Sequence, residues 1–414
     1  MISLIEAKSY RCLRYIRQPL GNFQILVGPN ASGKSTFLDV VAFLGDLLRF
    51  GVEETVRRRA RTLSELIWQG QGNNLEVAIE LNLPQAVGEY SVARYEVRVG
   101  TGEQGGVDLE VENLWLVRNG VRDKYARARQ TLLFPREVEV PATIVVEPGK
   151  HTPVGYRKVV SRTAEGRVYI RSETTDWNFS LRPARGRAGL TLVPEEEDRF
   201  GAATWARKVL LEGIQMLTLN SQLMRLPCAP DVPSTFQPDG SNLPVVVGML
   251  RREHGDRFAS WVEHVQTVFP EIVTVEERER EEDRYRYLLV GLRTGIQLPS
   301  WTLSDGTLRF LALTLLPYLS EPSGVYLVEE PENGIHPRAI EAVYQSLSSV
   351  YTGQVLCATH SPILLNMARL EDLLCFARTE SGATDIARGD EHPRLKEWRQ
   401  EVSLGDLLAS GVLG

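Results

Sequence analysis

Nine consecutive residues near the start of the chain have the types and the spacing needed to hold phosphate. They match the pattern G-x-x-x-x-G-K-[ST] and are Gly28, Pro29, Asn30, Ala31, Ser32, Gly33, Lys34, Ser35 and Thr36. The glycines permit backbone angles at which successive N–H groups point at one anion, and a following helix N-terminus adds favourable partial charge. In this pattern the Lys34 ammonium reaches the β- and γ-phosphates, and the Ser35 hydroxyl binds Mg²⁺. The stretch therefore predicts a site for a nucleoside triphosphate.

Two adjacent carboxylates follow an apolar run in the last third of the chain. Glu329 and Glu330 come directly after residues 325–328, which predict a buried strand. A nucleotide hydrolase places such a pair opposite its phosphate loop, where the first acid holds Mg²⁺ and the second polarises the attacking water. Glu329 is one methylene longer than the more common Asp, so we expect its contact with the metal to be less direct. An exposed acidic turn is the alternative interpretation.

A third stretch can bind an anion at the start of a helix. Ser304, Asp305, Gly306 and Thr307 precede apolar positions at helical spacing. The Ser304 hydroxyl, the Gly306 backbone and the helix N-terminus can together receive a γ-phosphate. Taken alone, these residues fit an ordinary helix cap equally well.

A histidine lies where another buried strand is predicted to end. His360 follows the apolar run 354–358 and precedes Ser361 and Pro362, which suit the N-cap and the first turn of a helix. At the carboxyl edge of a sheet, its side chain can donate a hydrogen bond to a γ-phosphate and respond to its loss. A lone histidine at a strand end is more often structural.

The elements that must position these residues predict an α/β fold. The apolar run 23–27 precedes the phosphate loop, and apolar positions at helical spacing follow it. Strands and helices alternate again from residue 300, which implies a mainly parallel sheet covered on both faces. The phosphate loop must join that sheet, so the middle of the chain is predicted to be an insertion.

The middle of the chain divides into a β-rich part and a helical part. Runs punctuated by Gly and Pro predict an antiparallel meander at 75–83, 90–99, 107–117 and 138–147. Helices are predicted at 203–219, 243–252, 256–268 and 395–408, and further strands at 272–277, 285–293 and 373–377. No segment carries the sustained heptads of a long coiled coil. The expected divisions are 1–74, a β-rich lobe at 75–199, a helical insertion with a hairpin at 200–299, and 300–414.

Composition and charge are those of an ordinary globular protein. Of 414 residues, 24% are charged and 43% hydrophobic. The net charge of −6 argues against a surface that binds nucleic acid everywhere, although it leaves room for a local basic patch. The four cysteines are widely separated, so neither a zinc site nor a disulfide framework is expected. No signal peptide or membrane-spanning run is recognisable, and the expected location is the cytoplasm.

Four motifs occur in a fixed order along the chain. They are G-P-N-A-S-G-K-S-T, L-S-D-G-T-L-R-F-L-A-L, V-E-E-P-E-N-G-I-H-P and A-T-H-S-P. Together they resemble the ABC-type ATPase heads of the Rad50, SMC, RecF and OLD group. The likeness is strongest to the compact prokaryotic AAA-family ATPases of AbiEii-like type, which act in anti-phage defence and abortive infection. D-G-S-N-L at 239–243 is also similar to that subgroup, and the specific motifs cover residues 1–50 and 300–365.

The resemblance implies a role for each motif in ATP binding and hydrolysis. The phosphate loop would be the Walker A motif, with catalysis carried out by Lys34, Glu330 and His360. Ser35 and Glu329 would hold Mg²⁺. ATP and Mg²⁺ are therefore the expected substrate and cofactor.

The resemblance also implies a dimer that forms around ATP. Ser304, Asp305, Gly306 and Thr307 would be the signature that closes over the γ-phosphate held by a second copy of the chain. ATP would then link two subunits, and hydrolysis would loosen them. Asn333 and His336 would lie along the seam between the copies.

Some family features have uncertain counterparts in this chain. Arg11 occupies the place of a family arginine near the phosphates, and either Gln69 or Gln71 is a candidate for the glutamine loop. The long coiled coils of Rad50 and SMC are not expected. About 50 residues follow His360, which is too few for the nuclease domain that OLD enzymes carry after the head.

The expected function is that of a sensor or motor ATPase in a prokaryotic defence system, with a nuclease or toxin effector on a separate chain. The alternative is a DNA-repair clamp of the RecF or Rad50 kind. Basic segments with interleaved aromatics at 116–136 and 151–194 favour nucleic-acid binding, and solvated faces of a sheet explain them equally well. A transporter ATPase is a poor third alternative, because the insertion replaces the surface that would dock membrane helices.

Overall fold

A computed structural model describes residues 1–102, 105–118, 133–147, 151–319, 324–395 and 403–411. They belong to two compact units. The first comprises Met1–Ile214, Leu370–Glu401 and Gly411–Gly414, and the second Gln215–Arg369 and Val402–Ser410. Neither unit ends at residue 74, 199 or 299, and the four-part division expected from the sequence stays a prediction.

The secondary structure alternates strands and helices at both ends of the chain. The strands are β1 (Ile2–Tyr10), β2 (Leu13–Pro19), β3 (Phe23–Val27), β4 (Asn74–Val87), β5 (Tyr90–Thr101), β6 (Val107–Arg118), β7 (Tyr156–Arg162), β8 (Val168–Arg171), β9 (Asn178–Leu181), β10 (Ile214–Leu217), β11 (Ile272–Glu279), β12 (Arg286–Leu292), β13 (Gln297–Pro299), β14 (Val325–Glu329), β15 (Gln354–Ala358), β16 (Leu373–Arg378) and β17 (Thr384–Arg388). The α-helices are α1 (Lys34–Phe50), α2 (Val52–Arg57), α3 (Glu197–Lys208), α4 (Ser221–Arg225), α5 (Leu243–Glu253), α6 (Gly255–Val268), α7 (Asp305–Leu315), α8 (Pro337–Ser348), α9 (Pro362–Met367) and α10 (Leu404–Ala409).

An eight-stranded antiparallel sheet dominates the first unit. Its strand order is β2-β1-β4-β5-β6-β7-β8-β9. The sheet confirms the predicted antiparallel lobe, because β4, β5 and β6 correspond to the runs expected at 75–83, 90–99 and 107–117. The hairpin β1–β2 belongs to the same sheet, so this lobe begins at the start of the chain.

The strand expected at 138–147 is wrong. No residue of the described stretch 133–147 pairs with a strand, and side chains on the polar face of the sheet bind its backbone instead. The Glu76 carboxylate accepts a hydrogen bond from Ile144 N at 2.7 Å, and Glu96 accepts one from Val146 N at 2.8 Å. These carboxylates satisfy N–H groups that a neighbouring strand would otherwise bind. The alternating apolar pattern cannot distinguish these two solutions.

The phosphate-loop stretch lies between β3 and α1, as predicted. Within the first unit, β3 pairs with β16 in parallel, and β16 pairs with β17 antiparallel. The inward face of α1 is fully buried at Phe37, Leu38, Val41 and Leu44. Burial of this apolar stripe anchors the helix that follows the loop.

The helix expected at 203–219 is wrong in its extent. The α-helix α3 ends at Lys208, a π-helical turn covers Val209–Gly213, and β10 begins at Ile214. The run from 209 to 217 is apolar at most positions. Periodicity therefore cannot tell a helix from a strand in this run.

The second unit confirms most of the remaining elements. The parallel pair β14 and β15 runs in register from Val325↔Gln354 to Glu329↔Ala358. The helices α5 and α6 lie where 243–252 and 256–268 predict them, and β11, β12 and β13 form a three-stranded antiparallel sheet. Of the helix expected at 395–408, α10 is the described part, and residues 396–402 lie outside the described ranges.

The helices of the described ranges are short. The longest is α1, with 17 residues, which corresponds to about 25 Å. The predicted lack of a long coiled coil is therefore confirmed for this part of the chain. Within the same ranges, no helix combines the length and the apolar character that crossing a bilayer demands.

A buried histidine makes the stability of the first unit sensitive to pH. His392 is 1% exposed; its Nδ1 accepts a hydrogen bond from Arg394 N at 3.3 Å, and its Nε2 is buried without a partner among the described residues. Burial, with a smaller contribution from the charge of Arg394, lowers the pKa of His392 to about 4. The neutral ring is therefore the form that the folded state prefers.

We expect acidification to destabilise the protein through His392. Unfolded His has a pKa of about 6.5, so the unfolded state takes up a proton first as the pH falls. The free energy of unfolding should drop by about 1–2 kcal/mol between pH 7 and pH 5. Urea unfolding at both pH values measures this loss, and His392→Gln should remove most of it. An equal pH dependence in the variant would contradict the assignment.

Candidate nucleotide-binding site

The loop Gly28–Thr36 has the backbone geometry of an anion cradle. Gly28 has a φ of 152°, Ala31 of 61° and Gly33 of 110°. A Cβ at Gly33 would lie 2.3 Å from Thr384 Oγ1, and one at Gly28 would lie 2.2 Å from Phe376 O. Positive φ and close backbone approach together require glycine at both positions.

The end of α1 that follows the loop offers N–H groups to an anion. Gly33 is its N-cap and supplies no side chain, and the first turn contains no acidic residue. The helix begins at Lys34, and the Lys34 Nζ donates to Gly28 O at 2.8 Å and to Pro29 O at 2.9 Å. The ammonium charge therefore lies inside the arch of the loop, beside the positive end of the helix dipole.

A buried hydroxyl in the loop gives an independent test of whether phosphate fits. Ser32 is 1% exposed, and its Oγ has no hydrogen-bond partner among the described residues. A buried polar atom of this kind normally binds something. The glycine cradle, the uncapped helix end and this hydroxyl fit a phosphate group, and the exposed Ser35 next to them offers the oxygen that Mg²⁺ prefers.

Two elements that the sequence did not assign to the site pack against the loop. Thr384 on β17 donates from Oγ1 to Ser32 O at 2.8 Å. Cys12, in the turn between β1 and β2, donates from Sγ to Thr36 Oγ1 at 3.4 Å. Thr384 N also donates to Cys12 O at 3.0 Å, so two linked elements of the first unit hold the conformation of the loop. The sequence did not indicate that either residue contacts the loop. For Thr384 the reason is that β17 was not predicted from its short polar sequence.

Arg11 and Gln69 come from segments that touch each other. Arg11 N donates to Leu66 O at 2.7 Å, and both Arg11 and Gln69 have left-handed backbones, with φ of 49° and 50°. The Gln69 side chain donates to Ser381 O at 3.2 Å, and Gln71 Nε2 donates to Gln69 Oε1 at 3.3 Å. Strained non-glycine residues often mark functional positions.

The Arg11 guanidinium is directed at the side of α1. Its Nη1 lies 3.5 Å from Asp39 Oδ2, and its Nη2 donates to Arg59 O at 3.2 Å. Asp39 also accepts hydrogen bonds from Tyr10 OH at 2.6 Å and from Arg59 Nε at 2.8 Å. Burial and the Asp39 charge raise the pKa of Tyr10 well above its usual value, so the phenol stays protonated. The role of Arg11 at the phosphates stays a prediction.

The acidic pair lies at the end of β14, in the second unit. Glu329 is the last residue of the strand, and Glu330 begins the turn with a φ of 46°. The turn is held because Glu330 N donates to Ala358 O at 2.8 Å and Asn333 N donates to Glu330 O at 3.0 Å. The Asn333 amide also donates to Glu330 Oε2. Both glutamate side chains are exposed.

His360 follows β15, in a loop tied to the acidic turn. Glu332 Oε1 accepts hydrogen bonds from Thr359 Oγ1 at 2.6 Å and from His360 N at 3.1 Å. Ser361 caps α9 as predicted, with its Oγ accepting from Leu364 N. Glu332 belongs to the motif V-E-E-P-E-N-G-I-H-P, but the sequence alone did not indicate a role for it. Its signal was a third carboxylate two residues after the pair.

The signature stretch forms the N-terminus of α7. Ser304 is the N-cap, and its Oγ accepts from Thr307 N at 3.1 Å. A Cβ at Gly306 would lie 2.4 Å from Gly334 O, so this stretch packs directly on the loop after the acids. The guanidinium of Arg225 holds the signature through Leu303 O at 3.0 Å and Asp305 at 2.5 Å. Arg225 was not foreseen.

Asn333 and His336 lie on the loop between β14 and α8. The Asn333 carbonyl accepts from Arg309 Nη1 at 3.2 Å. His336 is the N-cap of α8, where its Nδ1 accepts from Arg338 N at 3.2 Å. Their expected place along a dimer seam stays a prediction.

The predicted site residues therefore fall into two sets. The first unit contains the phosphate loop, Arg11 and Gln69, and of these side chains Arg11 contacts α1 through Asp39. The second unit gathers the acidic pair, His360 and the signature. That these sets surround one triphosphate stays a prediction. In the described part of the chain, no group of three or more His, Cys, Asp or Glu side chains could hold a metal by itself.

Comparisons with known proteins identify the family of the chain and its fold. A family model described as "AAA domain, putative AbiEii toxin, Type IV TA system" matches residues 23–145 and 246–366, more than half of the chain. An OLD nuclease from Thermus scotoductus is 26% identical over 114 residues, which span 28% of this chain and 20% of that protein. The chain thus matches only a fifth of the length of this relative.

A solved structure is similar over nearly the whole chain. The structure titled "Crystal structure of the SmcHead bound to the C-winged helix domain of ScpA" aligns with a TM-score of 0.52 and 14% identity, covering 99% of both chains. At this identity the likeness concerns the fold, and it confirms the predicted ABC-ATPase-like α/β architecture. The chain belongs to the family described as "AAA domain, putative AbiEii toxin, Type IV TA system", and its fold is similar to that of the SMC head ATPase domain.

Proposed function

We propose that this chain binds and hydrolyses ATP and that two copies dimerise around the nucleotide. The observation that carries the proposal is the cradle at Gly28–Thr36, which combines glycines at positive φ, a helix end without a side-chain cap and a buried Ser32 hydroxyl without a partner among the described residues. A neutral ligand would leave the Lys34 charge and the helix dipole without a counter-charge.

Each side chain then has a defined task. Lys34 and the loop N–H groups bind the β- and γ-phosphates, and Ser35 and Glu329 hold Mg²⁺, which would neutralise phosphate charge. Glu330 orients and polarises the attacking water. His360 donates a hydrogen bond to the γ-phosphate.

The second copy would complete the site. Its residues Ser304 to Thr307 close over the γ-phosphate, with the N-terminus of α7 adding favourable partial charge. ATP then joins the two copies, and loss of the γ-phosphate weakens the contact. Arg11 and Gln69, which lie in the first unit, are proposed to contact the bound nucleotide.

We further assign the ATPase to a prokaryotic defence system, as its sensor or motor subunit with a separate nuclease or toxin effector. The family description, which names a putative AbiEii toxin and a type IV toxin–antitoxin system, supports this assignment. The stretch shared with an OLD nuclease supports a link to nucleases.

The test measures ATP hydrolysis and oligomeric state with the purified protein. We expect phosphate release from ATP with Mg²⁺, and a dimer by light scattering with ATP but not with ADP. Co-expression with the product of the adjacent gene should then give a complex whose stability depends on ATP. A chain that neither binds nor hydrolyses ATP would overturn the proposal.

A DNA-binding clamp is the second candidate, and one surface favours it. The outward side of β8 presents Tyr169 and Arg171, and Arg167 directly precedes the strand; all three are exposed. On β7, burial and the nearby charge of Arg171 lower the pKa of Lys158, so cations are crowded at this end of the sheet. An exposed aromatic among cations suits a nucleic-acid strand. The other basic segment, 116–136, lies largely outside the described residues.

Single-stranded DNA binding by a variant lacking two of these charges tests the clamp. Arg167→Gln/Arg171→Gln should weaken binding and lower the slope of log K against log salt by about 1.4, because each lost phosphate contact removes about 0.7. The control is Arg57→Gln/Arg58→Gln, which neutralises exposed arginines paired with Glu53 and Glu54. Absence of DNA binding by the unchanged protein would exclude the clamp.

A further inference from the structure

The carboxylate of Glu332 connects two parts of the candidate catalytic machinery that are distant in sequence. It lies two residues after Glu330, on the turn that follows β14. One oxygen, Oε1, accepts hydrogen bonds from Thr359 Oγ1 at 2.6 Å and from the His360 backbone N at 3.1 Å. A single charged atom therefore holds the loop that carries His360.

Further hydrogen bonds extend this connection along the loop. Thr359 Oγ1, which donates to Glu332, also accepts from Ser361 N at 2.9 Å. Thr359 is fully buried, so its hydroxyl has no water to replace these partners. The residue before Thr359 is also bound to the turn, because Ala358 O accepts a hydrogen bond from Glu330 N at 2.8 Å. Polar groups of residues 358–361 are thus fixed, directly or through Thr359, to the acidic turn.

The acidic turn itself needs such support. Glu330 has a left-handed backbone with a φ of 46°, which is strained in a non-glycine residue and persists only where the surroundings enforce it. Hydrogen bonds to a charged acceptor are roughly twice as strong as neutral ones. Glu332 therefore supplies the strongest contact between the turn and the histidine loop.

Glu332 is poorly placed to act on substrate directly. Its Oε1 already accepts two hydrogen bonds, and its Oε2 is buried without a partner among the described residues. The burial of Cys357 raises the pKa of that thiol, and the nearby negative charge of Glu332 adds to the effect. These contacts direct the carboxylate toward the protein interior.

We propose that Glu332 is a positioning residue that fixes the His360 loop against the turn of Glu330, so that the base and the phosphate-contacting histidine move as one unit. The assignment of His360 and Glu330 to ATP hydrolysis rests on the proposed function, whereas the contact itself does not.

Steady-state ATP hydrolysis by Glu332→Ala tests the positioning role. A displaced reacting group costs up to about 100-fold, so we expect kcat to fall about 10- to 100-fold, with ATP affinity within about 3-fold of the unchanged protein because the phosphate loop is untouched. Glu332→Gln keeps the acceptor oxygen and should recover most of kcat. Thr359→Val should resemble Glu332→Ala, and Thr359→Ser should resemble the unchanged protein.

A double variant separates positioning from a general structural effect. If Glu332 acts through His360, adding Glu332→Ala to His360→Ala should reduce kcat by less than about 2-fold more, because contacting residues in one network are not additive. Equal losses in the two backgrounds would overturn the proposal. So would unchanged kcat in Glu332→Ala.

Hydrogen exchange provides a readout that does not require ATPase activity. The His360 amide, protected by Glu332, should exchange faster in Glu332→Ala, while amides of the distant helix α5 should be unchanged. Unchanged exchange at His360 would overturn the positioning role even if the protein is an active ATPase. Faster exchange in a protein without ATPase activity would retain the contact and refute the proposed function instead.

Discussion

Replacing Lys34 with alanine is expected to lower the affinity for ATP about 30-fold or more. Lys34 is 7% exposed, and its ammonium lies in the arch of the phosphate loop, 2.8 Å from Gly28 O and 2.9 Å from Pro29 O. A triphosphate bound there would be contacted by a buried cation, and losing one member of such a pair costs about 2–5 kcal/mol. Each 1.4 kcal/mol is a factor of ten in affinity.

Calorimetric titration with ATP and Mg²⁺ measures this loss. The matched control is Lys208→Ala, which removes an exposed lysine at the end of α3. The control should bind ATP like the unchanged protein, and circular dichroism should show that both variants are folded. Unchanged ATP affinity in a folded Lys34→Ala variant would remove the phosphate-loop assignment, and with it the proposed ATPase function.

The elements next to the candidate site were the ones that sequence reasoning predicted best. The strands β14 and β15 are short apolar runs bounded by polar residues, and the structure begins and ends them within one residue of the expected positions. Their burial on both faces selects apolar residues at the positions other than Glu329, which ends β14, and Gln354, which begins β15, and this leaves a clear pattern. The loop between β3 and α1 was predicted equally well, because its backbone geometry requires glycines at a fixed spacing.

The two secondary-structure predictions that were wrong failed for the same physical reason. The stretch 138–147 was predicted as a strand from its pattern, but Glu76 and Glu96 on other strands satisfy its backbone. The run 209–217 leaves the helical path through a π turn before β10. In both cases the outcome depends on partners far away in sequence, which a local window does not contain.

Within the site, the sequence predicted which residues take part but not which contacts hold them in place. The left-handed backbones of Ala31 and Glu330 have no signature in residue type, since neither residue favours positive φ. The hydrogen bond from Thr384 to Ser32 joins residues 352 positions apart. Glu332 was visible only as one more acid in an acidic motif. Sequence therefore identifies candidate catalytic groups, whereas their supporting contacts require the fold.

Replacing Glu330 with glutamine is expected to abolish turnover while preserving nucleotide binding. The carboxylate is the proposed base, and general base catalysis contributes about 10²–10⁴-fold to rate. Glutamine keeps an acceptor for the Asn333 amide, and the backbone bond from residue 330 to Ala358 O does not depend on the side chain. The strained turn should therefore keep its shape, so that the loss falls on the chemical step.

The same substitution should trap the ATP-bound dimer. If hydrolysis is what loosens two copies, blocking it leaves the γ-phosphate bridging the phosphate loop of one copy and the Ser304 signature of the other. Light scattering with ATP and Mg²⁺ should then show a dimer that persists for many turnover times of the unchanged protein. Glu341→Gln, at an exposed position on α8, is the matched control and should hydrolyse ATP normally. A Glu330→Gln variant that binds ATP and remains a monomer would refute the sandwich. Normal turnover in that variant would refute the assignment of the base, because another group would then be activating the water.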